Sequence, residues 1–117
     1  MIGGLKEKAK AKAMASLEEQ MAEPIQQNME LFQDLKPSDV QDDGKFGQIV
    51  VQPLWAAVKA QSGGAITAAQ KFVDVETKFK EGLFNVRDEL IVVEGEQVDL
   101  HPEFSEKLIP TMSESFK

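Results

Sequence analysis

An apolar side chain recurs every seven residues through the second half of the chain, and this repeat constrains the fold most strongly. The repeat consists of Phe72, Phe79, Val86 and Val93. Leu83 and Leu90 each follow one of these residues by four positions, and the pattern is interrupted at Glu76. Alternating spacings of four and three are typical of a helix that packs along one stripe. The pattern predicts one helix from about Thr67 to Val93, roughly 45 Å long.

The end of this segment also fits a different structure. In LIVVEGEQVDL, residues 91–93 are β-branched and Glu94-Gly95 is a suitable turn, so a β-hairpin is the alternative. We predict helix as far as Val93, because the helical spacing continues into that residue, with Gly95 ending it.

A second apolar stripe predicts helix in the first third of the chain. Its members, each three or four residues apart, are Met14, Leu17, Met21, Ile25, Met29, Phe32 and Leu35. Pro24 interrupts the stripe, because proline lacks a backbone N–H and clashes with the preceding turn. We predict a helix boundary near Glu23, with one continuous kinked helix as the alternative.

The middle of the chain also has the helical period. Apolar residues near positions 46, 50, 54 and 57 share one side of a helical wheel, and strict alternation is absent. We therefore predict a helix from about Gly44 to Gln61, kinked at Pro53 on its buried side, in preference to a strand followed by a helix. The polar segment 36–47 is predicted as a connector, and Gly63-Gly64 as a helix end and corner.

The last predicted helix is short. Pro102 suits its first turn, and Pro110 is predicted to end it. Residues 111–117 are then a loose tail, and residues 1–13 a basic, partly frayed start. The chain as a whole is predicted to be a single all-α domain, residues 1–117. Its architecture is an antiparallel helical bundle of three to four main helices plus a short C-terminal helix.

Composition excludes several classes of function. The formal net charge of −7 disfavours nucleic-acid binding, which needs cations set against phosphates. No apolar run approaches the ~20 residues that cross a bilayer, so no membrane span is predicted. The chain has no cysteine and no continuous apolar leader, and a cytoplasmic location is expected.

Groups suited to catalysis or metal binding are few. His101 is the only histidine, and no serine lies in a nucleophile motif. The acidic segment beginning at Asp39 departs from the calcium-loop pattern at Gln41 and Val50. The sequence therefore predicts no catalytic residue, no metal site and no cofactor, and hence a protein that is not an enzyme.

An interaction surface is the favoured functional prediction. Trp55 falls on the polar side of its helical wheel, so it is either covered by another segment, namely the first helix or the C-terminal tail, or exposed to a partner. The predicted interface comprises Trp55, Lys59, Phe84 and Ile91. A helix about 45 Å long is hard for so short a chain to cover, which favours a homo-oligomer, most simply a dimer, or a protein partner.

The alternative function is binding of a small apolar ligand or lipid between helices. Methionine and phenylalanine side chains adapt to irregular ligands. The predicted pocket residues are Met21, Met29, Phe32, Phe72 and Phe79.

Overall fold

A computed structural model describes the backbone of residues 2–117 and the side chains from Gly4 onward; Met1 lies outside the described residues. The chain is mostly helical and carries a small two-stranded sheet. The helices are α1 (Ile2–Gln27), α2 (Pro37–Gln41), α3 (Asp43–Phe46), α4 (Gln52–Gln61), α5 (Gly63–Gln70), α6 (Val75–Leu90) and α7 (Phe104–Ser113). Short 3₁₀ turns span Met29–Phe32 and Glu114–Phe116, and the strands are β1 (Ile91–Glu94) and β2 (Gln97–Leu100).

The buried apolar side chains form one cluster to which most elements contribute. The C-terminal part of α1 packs against α4 and α5, and α6 packs against α7 and the final 3₁₀ turn. The described chain is elongated, with extents of 55 × 24 × 23 Å. The longest helix is α1, whose 26 residues span ~39 Å at 1.5 Å each.

The predicted helix over residues 44–61 is confirmed. Helical structure runs from Asp43 to Gln61, through α3, a π-helical turn at Gly47–Val51 and α4. The predicted position of Pro53 is wrong, because Pro53 is exposed instead of lying on the buried side. The π-helical turn ends two residues before it, and such turns insert one residue and shift the faces of the helix that follows.

The single long helix predicted from Thr67 to Val93 is wrong. The helix α5 ends at Gln70, and α6 begins at Val75 after a turn that contains the half-buried Phe72. Asp74 starts α6 as its N-cap, since its carboxylate accepts hydrogen bonds from the Thr77 backbone N–H (3.4 Å) and the Thr77 hydroxyl (2.8 Å). The seven-residue repeat therefore spans two elements, and only its part from Phe79 to Val86 lies on one helix.

Helix as far as Val93 is also wrong, and the β-hairpin is the correct alternative. β1 pairs with β2 in antiparallel register, from Ile91 opposite Leu100 to Glu94 opposite Gln97. Gly95 has φ of 61° at the first position of the two-residue turn, a conformation that glycine adopts at little cost. The apolar spacing continued into Val93 because its side chain also faces inward on the strand, half-buried.

Pro24 does not end the first helix, which contradicts the predicted boundary near Glu23. α1 continues to Gln27. Proline at position 24 leaves the Gln20 carbonyl without its helical donor. The hydroxyl of Ser62 supplies a replacement, because Oγ donates to the Gln20 carbonyl oxygen at 3.1 Å. Ser62 is only 1% exposed and forms the whole connection between α4 and α5, so this hydrogen bond ties that corner to α1.

Replacing Ser62 by alanine is expected to lower the free energy of unfolding by about 0.5–1.5 kcal/mol, because the Gln20 carbonyl loses the donor that replaces its helical one. In a Pro24→Ala background, residue 24 regains an N–H that bonds to the Gln20 carbonyl, and the same Ser62→Ala change should cost much less. Urea denaturation of the four proteins in this cycle measures the coupling. If Ser62→Ala lowers the free energy of unfolding equally with proline and with alanine at position 24, the hydroxyl does not act by replacing the missing helical donor.

The predicted loose tail at residues 111–117 is wrong, as is the predicted end of the last helix at Pro110. The helix α7 passes through Pro110 to Ser113, and a 3₁₀ turn continues to Phe116. Phe116 is only 8% exposed. The Ser115 hydroxyl contacts the Lys78 carbonyl oxygen at 2.6 Å, which attaches the tail to α6. The basic start is helical from Ile2 onward, and its fraying stays a prediction.

Candidate functional site

The four predicted interface residues do not form one exposed patch. Lys59 is exposed, whereas Trp55 and Phe84 are half-buried. Ile91 is only 7% exposed, so the prediction that it lies at an interface is wrong for the surface of this chain. The chain changes from helix to strand at Ile91, and this side chain lies in the core.

Trp55 is half-buried and packs against α6. Its ring lies 5.2 Å from the Phe79 ring, centroid to centroid, at an angle of 49°. Glu76, at the start of α6, lies close by and accepts a hydrogen bond from Lys80 Nζ at 2.9 Å. This hydrogen bond, the positive charges of Lys80 and Lys59 and a contact with the Trp55 indole lower the pKa of Glu76. The acid that interrupts the apolar repeat is thus an exposed, ion-paired residue at a helix start.

The N-cap of α6 makes stability depend on pH. Hydrogen bonds from the hydroxyl and the backbone N–H of Thr77 lower the pKa of Asp74. A lowered folded-state pKa stabilises the fold above about pH 4, and that contribution is lost as the pH falls through the folded value. Asparagine caps helices equally well but does not titrate. The urea midpoint should therefore drop less between neutral and acidic pH for Asp74→Asn than for the wild-type protein. An equal drop in the two proteins would contradict the assignment of Asp74 as the titrating cap.

Phe84 is covered by an aromatic and cationic cluster. Its ring lies 5.6 Å from the Phe46 ring, and the Arg87 guanidinium stacks 4.9 Å from its centroid. Arg87 also pairs with Asp43 at the start of α3 and with Asp88. Burial alone would lower the pKa of Arg87, but the hydrogen bonds to these two carboxylates outweigh it and raise the pKa. Arg87 therefore connects α6 to the helical run 43–61, and its contacts account for the coverage of Phe84.

The predicted pocket residues are dispersed. Phe79 packs on Trp55, and Phe32 packs edge-on against Phe104, with ring centroids 5.0 Å apart. Met21 and Met29 line different clefts. Phe72 lies in the turn before α6.

A cleft of about 230 Å³ lies between α1 and the C-terminal segment. Its lining is mainly apolar and includes Met14, Leu17, Met21 and Phe116, with Glu18 and Lys117 also contributing. The hydroxyl of Ser113, which also lines the cleft, is buried and has no hydrogen-bond partner among residues 4–117. The docked tail creates this cleft, so the prediction of a loose tail concealed it.

The first turns of α1 form an exposed helical arm, which we define as residues 4–13. Residues 4–9 are all exposed, and Leu5 is 69% exposed, the largest value among the exposed large apolar side chains described. On a helix, Lys8 and Lys12 share a face with Leu5, since residues three, four and seven apart lie on one side. The arm thus presents an apolar side chain and two cations on one face. Its charge was evident in the sequence, but the exposure of Leu5 was not, because packing decides which helix turns are covered.

His101, the only histidine, has a structural contact. Its Nδ1 accepts a hydrogen bond from the Glu103 backbone N–H at 2.9 Å, just before α7. Within residues 4–117 no three histidine or acidic side chains are grouped closely enough to hold a metal ion. No helix in the described part of the chain is long and apolar enough to cross a membrane.

Comparison of the chain with protein-family models, with curated proteins and with solved structures finds no match to any of the three.

Proposed function

We propose that this protein is a non-enzymatic helical protein that acts by self-association, and that the α1 arm is the surface through which copies associate. The observation that carries this proposal is the exposure of the arm, with Leu5 69% exposed at the end of a long helix. The long second-half helix predicted from the sequence no longer supports association, because it is divided into α5 and α6.

The stability of short helices supports the proposal. Helical segments of this length are marginal in water unless tertiary contacts cover one face. The arm has few such contacts in its own chain, since its first six described side chains are exposed. Covering Leu5 would contribute about 1.5–3 kcal/mol, as burial of a leucine side chain does elsewhere.

Charge favours a second copy as the partner. Residues 1–15 contain four lysines and one glutamate, whereas the remainder contains nine cations and nineteen acids. The arm segment is therefore +3 and the rest of the chain −10. A basic arm attached to an acidic body is complementary to the body of another copy, and this complementarity speeds association and orients it.

The oligomeric state tests this proposal. Sedimentation equilibrium should give a mass above the 13.0 kDa of one chain, and the mass should rise with concentration. Leu5→Ser should weaken association by about tenfold or more, whereas Ile49→Ser, at another exposed apolar residue, should associate as the wild type does. A mass of one chain for the wild type up to about millimolar concentration would overturn the proposal.

Several finer predictions belong to the same proposal. The antiparallel bundle is supported by the packing of α1 against α4 and α5 and of α6 against α7. The absence of nucleic-acid binding is supported by the net charge of −7. The cytoplasmic location is supported by the lack of cysteine.

A second candidate function is binding of a small amphipathic molecule in the cleft between α1 and the tail. The unpaired Ser113 hydroxyl favours it, because a buried hydroxyl without a partner costs free energy that a ligand acceptor would recover. Native mass spectrometry of the purified protein reads retained ligand and stoichiometry together. We expect a protein–ligand complex, and we expect Ser113→Ala to reduce the amount of ligand retained. If the spectrum shows only ligand-free protein, this candidate function is excluded.

A further inference from the structure

The region around the hairpin is the acidic counterpart of the arm. Residues 88–106 contain seven carboxylates and neither lysine nor arginine, and all seven side chains are exposed. We call this region the acidic end. The strand register gives the hairpin two faces, because successive side chains alternate. The inner face is apolar and at least half-buried, and the outer face carries Val92, Glu94, Gln97 and Asp99.

The outer face of the hairpin carries the same kinds of side chain as the arm, with the opposite charge. Val92 is 51% exposed and lies beside Glu94 on its strand and opposite Asp99 on the other. On the arm, the exposed Leu5 lies beside Lys8 and Lys12. Each surface therefore combines one exposed apolar side chain with two like charges, and the two surfaces are complementary in charge.

These two surfaces lie far apart on one molecule. The hairpin residue Leu100 lines a cleft with Met29, just beyond the C-terminal end of α1. From Leu5 to Gln27 the helix rises ~33 Å at 1.5 Å per residue. A hairpin beyond the far end of that helix is out of reach of the arm of its own chain, so the arm can meet this acidic face only on another copy.

We propose that copies associate head to tail, with the arm of one copy on the outer face of the hairpin of the next. This inference rests on the proposed self-association and names the surface that covers the arm. Leu5 packs against Val92, and Lys8 and Lys12 pair with Glu94 and Asp99. Such a contact joins two different surfaces, so it leaves a free arm and a free hairpin at the ends and builds larger assemblies unless a ring closes.

Symmetric dimers through either surface are disfavoured by charge. An arm-to-arm contact brings the lysines of two copies together, and a hairpin-to-hairpin contact brings the carboxylates together. Like charges set opposite each other in an interface are repulsive. The head-to-tail contact is the arrangement in which both apolar side chains are covered and the flanking charges have opposite sign.

Paired charge reversals test this arrangement. Lys8→Glu/Lys12→Glu reverses the arm, and Glu94→Lys/Asp99→Lys reverses the hairpin face. At an ionic strength of about 0.05 M, each variant alone should associate about tenfold or more weakly than the wild type, because exposed charges are little screened there. An equimolar mixture should recover most of the association, since each reversed surface finds a reversed partner.

A matched control separates local pairing from net charge. Glu19→Lys/Glu23→Lys changes the charge of the chain as much as the hairpin reversal does, but on the exposed body of α1. This control should associate at least as well as the wild type. Circular dichroism and the urea midpoint verify that each variant is folded.

The outcomes distinguish the two proposals. If the wild type associates and the arm reversal weakens it, but the hairpin reversal does not and the mixture fails to recover, the head-to-tail contact is overturned and self-association stands. If the wild type is monomeric at every concentration, both fail. A monomeric wild type that binds a short DNA duplex through the arm lysines would identify a nucleic acid as the partner instead.

Discussion

Replacing Gly82 by alanine is expected to lower the free energy of unfolding by about 3 kcal/mol or more. A Cβ at position 82 would lie 2.5 Å from the Met112 carbonyl oxygen, 2.6 Å from Met112 Cγ and 2.9 Å from Ser115 Oγ. The nearest of these is a backbone atom, so the clash is relieved only if α6 and α7 move apart. Elsewhere in a helix the same change stabilises by up to ~1 kcal/mol.

Gly64→Ala is the matched control, because Gly64 also lies in a helix and a Cβ there meets no atom within 4 Å. Urea denaturation should show the control unchanged or more stable and Gly82→Ala strongly destabilised. Met112→Ala should not rescue Gly82→Ala, since the carbonyl oxygen remains. If Gly82→Ala matches the control, α6 and α7 are not in the close contact described.

Replacing Phe116 by alanine is expected to cost about 3 kcal/mol, the lower end of the range for buried phenylalanine. Phe116 is 8% exposed and lines the cleft on α1, and its neighbour Ser115 contacts the Lys78 carbonyl oxygen. The change leaves a cavity where the tail, α1 and α6 meet. The free energy of unfolding from urea denaturation measures it.

Lys117→Ala serves as the control for Phe116→Ala. The Lys117 side chain is exposed and pairs with the exposed Glu114, so its removal should change stability by about 0.5 kcal/mol or less. A loose tail, as the sequence suggested, would make both changes neutral. A neutral Phe116→Ala variant would therefore contradict the docking of residues 114–117.

The fold class and the helical run 43–61 were predictable because the apolar period is regular there. The hairpin was missed because apolar residues at positions 90, 91 and 93 satisfy a helix and a strand equally. The separating signal was local: three β-branched residues precede a glycine that adopts positive φ. Where the spacing of apolar residues fits both a helix and a strand, the turn residues that follow distinguish the two.

Prolines and glycines were misjudged because their effects depend on distant residues. Pro24 was predicted to end a helix, yet the Ser62 hydroxyl, 42 positions from Gln20 along the chain, replaces the missing hydrogen bond. By helix propensity Gly82 is a weak point of its helix, yet the close approach of α7 leaves no room for a Cβ. These compensations arise from tertiary contacts, which propensity scales omit.

The candidate site was predictable in charge but not in location. The basic arm was visible as four lysines in residues 1–15. The interface was predicted instead at residues that include Trp55 and Ile91. In the fold, Trp55 packs against α6 and Ile91 lies in the core. Exposure depends on which elements pack together, and a helical wheel of one segment cannot show that.

Backbone amide hydrogen exchange across residues 5–12 tests the central claim most directly, because it reports whether the arm is covered. If a second copy covers the arm, exchange of these amides should slow progressively as the protein concentration rises. The Leu5→Ser variant should lose this concentration dependence. Fast exchange in the arm at every concentration, equal in the wild type and the variant, would contradict the account.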